Sequence, residues 1–162
     1  MRSNPLRKTA RHEAAHVVVA HSLGISVQVV TIDSVEVCHL SPSAAGVTYY
    51  DAEPTSAAAA IVSLAGVEQT YRDRRAEWEW THGHYACSSD MRRAQKIAAE
   101  IGGGFAQAES LIHRWTAFAG AVLSDRRHDV ERVASALARA GTLHREHIED
   151  LLGPLQDRSL PS

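Results

Sequence analysis

The chain has 162 residues, 44% of them hydrophobic and 22% charged, with a formal net charge of −2. That length suffices for one domain with a real core, and the near-neutral balance gives no electrostatic case for nucleic acid or an anionic membrane as partner. No apolar run approaches the roughly 18–20 residues that span a bilayer, and the start of the chain is polar rather than a secretory apolar region.

The two cysteines, Cys38 and Cys87, make neither a Cys-x-x-Cys pair nor a disulfide framework, so reduced thiols and a cytoplasmic location are expected. Asn4-Pro5 reads as N-cap and first helical position of a helix running to 23 and stopping at Gly24. One face of it carries Leu6, Ala10, Ala14, Val17, Val18 and His21, with His12 and His16 at the edge of the stripe. Residues 27–33 are β-branched and partly alternating, which predicts a strand, and 46–50 predicts a second. Between them, Ser41, Pro42 and Ser43 suggest a loop or a third strand.

From 55 to 74 the alanine-rich run predicts a buried helix, with Ala58, Ile61, Val62, Ala65 and Glu68 at helical spacing. Residues 75–87 are irregular and contain Trp78, Trp80, His82 and His84. Ser88-Ser89 caps a helix to 101, ended by Gly102-Gly103-Gly104, and helical patterns follow at 105–123, 125–140 and 144–152. The expected class is α+β, helix-dominant, with a small N-terminal β-sheet and a C-terminal helical bundle. It reads as a single domain over 1–162, with a metal-site half at 1–104 and a C-terminal helical part at 105–162.

Residues 12–16, His-Glu-Ala-Ala-His, carry the chemistry. On a helix the two histidines lie one turn apart on one face and could share a metal ion, with Glu13 beside them as a base. A catalytic zinc site needs three protein ligands and one open position. His21, His39, Asp51, His82, His84, Asp90 and His113 all remain candidates for the third ligand on spacing alone.

His144 and His147, three apart on a helix, read as solvated, and Trp78 with Trp80 as packing or an interaction patch. His82 and His84 read as a solvated loop, and Cys38 beside His39 shows no readable nucleophile geometry. Asp90 has a plain alternative role, a first-turn carboxylate favoured by the helix dipole.

In order and spacing, the segments resemble the peptidase domain of the FtsH family of ATP-dependent zinc proteases over nearly the whole chain. The resemblance rests on His12–His16, the strand-like Val29-Val30-Thr31-Ile32, and Leu64-Ala65-Gly66. It continues in Ser88-Ser89-Asp90-Met91-Arg92-Arg93-Ala94, then Gly141-Thr142-Leu143 and the helix-like 146–152. It implies a zincin-like fold with Asp90 as third zinc ligand beside His12 and His16, and Glu13 as the catalytic base. Ala15 stands where the family usually has glycine, Leu64-Ala65-Gly66-Val67 lacks its Gly-Gly-Arg, and His84-Tyr85-Ala86-Cys87 replaces its Thr-Thr-Gly-Ala.

The function expected on this resemblance is zinc-dependent hydrolysis of peptide bonds in unfolded or extended polypeptides. The AAA ATPase module and membrane anchor of the family are expected to be absent, and the expected partners are then an unfoldase acting in trans and a second copy of the chain. The rival expectations are a non-catalytic zinc-binding regulatory module and a regulatory protease specific for one partner protein. A short edge strand at 46–50 is expected to receive peptide by β-addition.

Overall fold

Pro5 opens the first helix, α1 (Pro5–Ser22), at a position where its missing N–H costs nothing. In the computed structural model, which describes residues 5–35, 37, 46–51, 55–77 and 88–155, this helix is the axis of the molecule. The expected one-sided stripe understates its burial. Every residue from Glu13 to Ser22 is buried, whereas Leu6, at the open end, is 45% exposed. The physical reason is composition: Ala14, Ala15 and the run from Val17 to Ala20 present small or branched apolar groups in all directions, which suits a helix enclosed by neighbours.

Those neighbours are α2 (Ser56–Glu77), α4 (Phe105–Asp125) and α5 (Arg127–Ala140), together with the sheet. A fourth helix, α3 (Ser88–Gly102), packs on α2 and α4. The last, α6 (Arg145–Leu152), closes on α5 and on the sheet. One hydrophobic cluster runs from Ala10 through Ile61, Leu64, Ala94, Trp115 and Leu137 to Ile148.

Three antiparallel strands, β1 (Val27–Thr31), β2 (Val47–Tyr50) and β3 (Thr142–His144), form a sheet in the order β2-β1-β3. The fold is therefore α+β and dominated by helix, as expected. The sheet is not built from the N-terminal region alone, however. Its third strand comes from 142–144, too short a segment to show an alternating pattern, and it is made a strand by pairing with Val29, Val30 and Thr31. Gly141 enables this: it ends α5 in a left-handed turn at φ 78°, and its carbonyl then accepts the Ile32 N–H at 2.8 Å.

On the other side, Thr48 pairs with the fully buried Val30, and Tyr50 pairs with Val27. Antiparallel partners share a sheet face, so Thr48 and Tyr50 both point to the core side, towards α1. The helices at 55–74, 88–101, 105–123, 125–140 and 144–152 all form within a few residues of their expected bounds. The expectations for Cys38, His39, residues 41–43, Trp78, Trp80, His82, His84 and Cys87 lie outside the described residues.

Candidate metal centre

The helical turn between His12 and His16 brings their Nε2 atoms to 3.1 Å from one another. Asp90 enters from the first turn of α3 and sets Oδ2 at 3.1 Å from His12 Nε2 and 3.5 Å from His16 Nε2. Donors bonded to one tetrahedral ion at about 2.0–2.2 Å stand about 3.3–3.6 Å apart, so this triangle is of the size a metal needs. The carboxylate of Glu13 also lies within 4.8 Å of both histidine donors, and His12, Glu13 and His16 together could hold a metal ion. Asp90 and Glu13 thus each bring a carboxylate up to the two imidazoles.

The helix α2 determines which nitrogen of each imidazole faces that point. His16 Nδ1 lies 2.7 Å from the Val62 carbonyl oxygen, which can only accept, so Nδ1 carries the proton. His12 Nδ1 lies 3.0 Å from Thr70 Oγ1, and Thr70 gives its own hydroxyl proton to the Gly66 carbonyl at 2.9 Å. The threonine therefore accepts from His12 Nδ1–H. Both Nε2 lone pairs are thereby turned on a common point, together with a carboxylate oxygen. Three acceptors this close repel one another unless a proton or a cation lies among them.

The closeness of α1 and α2 here depends on Gly66. A Cβ at that position would lie 2.5 Å from His16 Cε1 and 2.6 Å from His12 Cε1, inside contact distance of both rings.

The charges respond as this geometry requires. Burial pulls the His16 imidazole down, but the charge and hydrogen bond of Asp90, the charge of Glu13 and the Val62 carbonyl outweigh it, raising its pKa to about 9. Burial pushes Asp90 up, and the two imidazoles more than reverse this, holding its carboxyl well below the usual carboxylate range. With Nδ1 committed to Val62, the extra proton on His16 sits on Nε2. It occupies the point where a cation would bind, so proton and metal compete for one place.

Glu13 is 5% exposed, and its Oε2 accepts a hydrogen bond from Thr48 Oγ1 at 2.9 Å. Tyr50, on the same face of β2, has its phenol pushed above the ordinary range by burial, reinforced by Glu13 and Asp90 and opposed by Arg93. It therefore stays protonated.

Other candidates for a third ligand stand elsewhere. His21 is buried at the far end of α1, with Nε2 against the Gly153 carbonyl at 2.9 Å and Nδ1 facing Arg126 Nη1 at 2.9 Å. Asp51 is ion-paired with Arg145. His113 lies exposed on α4. His144 and His147 are exposed, and each helps cap the first turn of α6.

Sequence reading missed Val62, Thr70, Thr48 and Gly46, all of which support the site. Gly66 and Thr70, four apart on one helix face, were a usable signal; a backbone carbonyl such as that of Val62 leaves none. No protein-family model matches this chain, and no curated protein matches it.

Proposed function

We propose that the protein is a zinc-dependent metallopeptidase of FtsH type that hydrolyses peptide bonds in unfolded or extended polypeptides. The observation that carries the reading is the set of three acceptors, His12 Nε2, His16 Nε2 and Asp90 Oδ2, converging next to the buried carboxylate of Glu13. Two imidazoles and a carboxylate suit zinc, and three protein ligands leave a fourth position for water, which a structural zinc site does not.

His12, His16 and Asp90 would hold the ion. When bound, it would supply Lewis-acid polarisation of the scissile carbonyl and water of lowered pKa at neutral pH. Glu13 takes the proton of the attacking water and returns it to the leaving nitrogen. Thr70 and the Val62 carbonyl keep both imidazoles in the metal-binding tautomer throughout. Among the described residues, strand β2 lies at one edge of the sheet beside Glu13, where an extended peptide can pair with it by backbone hydrogen bonds.

The test is zinc analysis together with turnover of an unfolded casein-like substrate by the native chain and by Glu13→Gln. Native protein with one zinc and measurable turnover, and a variant that keeps zinc but loses turnover, would support the reading. Equal zinc in both, with no cleavage of any member of a broad peptide library, would remove it.

A further inference from the structure

The base itself is held asymmetrically. Thr48 Oγ1 donates to Glu13 Oε2 at 2.9 Å, from a strand whose register is set by Val30 opposite. The other oxygen, Oε1, lies over Gly46: a Cβ there would stand 2.6 Å from Oε1 and from Cγ. One end of β2 thus ties up one oxygen and, by lacking a side chain two residues earlier, leaves room for the other. A buried carboxylate without such a partner is free to turn about its terminal torsion, which is broad and soft.

We infer that Thr48 is a positioning residue for Glu13, holding Oε2 so that Oε1 is the oxygen that receives and returns the catalytic proton. The inference rests on the peptidase reading and adds a division of labour between the two oxygens. In the step, one water O–H bond breaks and its proton moves to Oε1 while the water oxygen bonds to the scissile carbonyl carbon. The C–N bond then breaks, and the same proton passes from Oε1 to the leaving nitrogen. Thr48 keeps its own proton, and its hydroxyl acts on the reaction only through Glu13. Without it, either oxygen can face the water, and the aligned fraction falls.

The test compares Thr48→Val, which removes the hydroxyl at nearly constant volume, with Thr48→Ser, which keeps it. For Thr48→Val, kcat should fall about 10- to 100-fold while KM changes less than about twofold. Zinc stoichiometry should stay at its native value, while the melting temperature of Thr48→Val should fall because a buried carboxylate loses a donor, and that of Thr48→Ser should not. Thr48→Ser should restore kcat to within about threefold of native. In the Glu13→Gln background, Thr48→Val should cause no further loss, because its effect runs through Glu13.

Native kcat in Thr48→Val would overturn the inference. So would equal losses in the valine and serine variants, or a loss of zinc that accounts for the lost rate. If zinc-loaded native protein cleaves no peptide, the peptidase reading itself fails and this inference with it. If native protein is active and only the Thr48 pattern is missing, the peptidase reading stands alone.

Discussion

His16 Nδ1 lies 2.7 Å from the carbonyl oxygen of Val62, and this contact decides what the other side of the ring can do. A backbone carbonyl cannot donate, so the ring must present Nε2 as a lone pair or as a shared proton. Val62 cannot be replaced by a side-chain change, but its counterpart on His12 can. Thr70→Val removes the acceptor for His12 Nδ1–H at constant shape, and zinc affinity should fall about 10- to 100-fold. Competition with a chromophoric chelator measures this directly. An unchanged affinity would mean that Thr70 plays no part in orienting His12.

Asp90 is the proposed ligand whose assignment owes most to resemblance, and its removal gives a sharp outcome. Asp90→Ala should lower bound zinc well below one equivalent after dialysis, while Asp90→Asn, which keeps shape without charge, should behave nearly as badly. A first-turn carboxylate serving only the helix dipole would contribute about 0.3–1 kcal/mol of stability and leave zinc unchanged. Metal analysis of the dialysed variants separates the two roles.

Gly66 offers a steric test of the same site. An alanine methyl would collide with both imidazoles at 2.5–2.6 Å, and neither ring can yield without leaving its hydrogen bond to Thr70 or Val62. Gly66→Ala should therefore abolish tight zinc binding, with a stability loss of about 1–3 kcal/mol from overpacking. Zinc binding at native affinity would show that α1 and α2 separate more easily here than their packing implies.

The legible part of this protein was the part carried by side-chain identity and period. Pro5, Gly24, Gly141 and the apolar spacings located the helices, and His12, Glu13 and His16 announced themselves by a one-turn repeat. Asp90 came from the order of segments, since nothing local distinguishes it from any first-turn acid. β3 was hidden because three residues are too few for a pattern, and its strand character comes from pairing with β1. The outer supports of the site were hidden for a related reason. Val62 acts through its backbone, and Thr48 and Thr70 acquire meaning only when helix and strand meet α1.

Metal-free protein should show a pH dependence of stability set by His16 and Asp90. The folded pKa of His16 is raised from 6.5 to about 9, so its contribution is fully present below 6.5 and is lost as pH rises through about 9. Asp90 is depressed, so its contribution is present above its unfolded value of 3.8 and lost as pH falls towards its folded value. Urea midpoints with chelator present should thus decline between pH 6.5 and 9. With zinc present, the proton on Nε2 is displaced and this decline should vanish; apparent zinc affinity should rise about tenfold per pH unit over the same window. A flat chelator curve would mean that no proton is held between the ligands.

At the opposite end of α1 the same helix carries a histidine with the reverse behaviour. His21 Nδ1 accepts from Arg126 Nη1 at 2.9 Å, which leaves Nε2–H to donate to the Gly153 carbonyl at 2.9 Å beyond the end of α6. Arg126, itself 7% exposed, also donates to Ser22 Oγ at 3.0 Å and to Asp129 Oδ2 at 2.7 Å. Burial and the arginine lower the His21 pKa, against the carbonyl of Gly153 and the charges of Asp129 and Glu149. A depressed value makes its contribution complete above 6.5 and loses it as pH falls, the opposite sense to His16. Arg126→Met should cost about 3 kcal/mol at pH 7, since it strips buried groups of a charged partner. It should also reduce the stability lost between pH 6.5 and 5, because a protonated His21 would no longer face a guanidinium. Zinc stoichiometry should not change, as the network lies five residues from His16 and faces α5. Chemical denaturation of both proteins at pH 5 and pH 7, with zinc measured alongside, checks all three outcomes. A variant with an unaltered pH 7 midpoint would show that the buried guanidinium contributes nothing to fastening α5 and α6 onto α1.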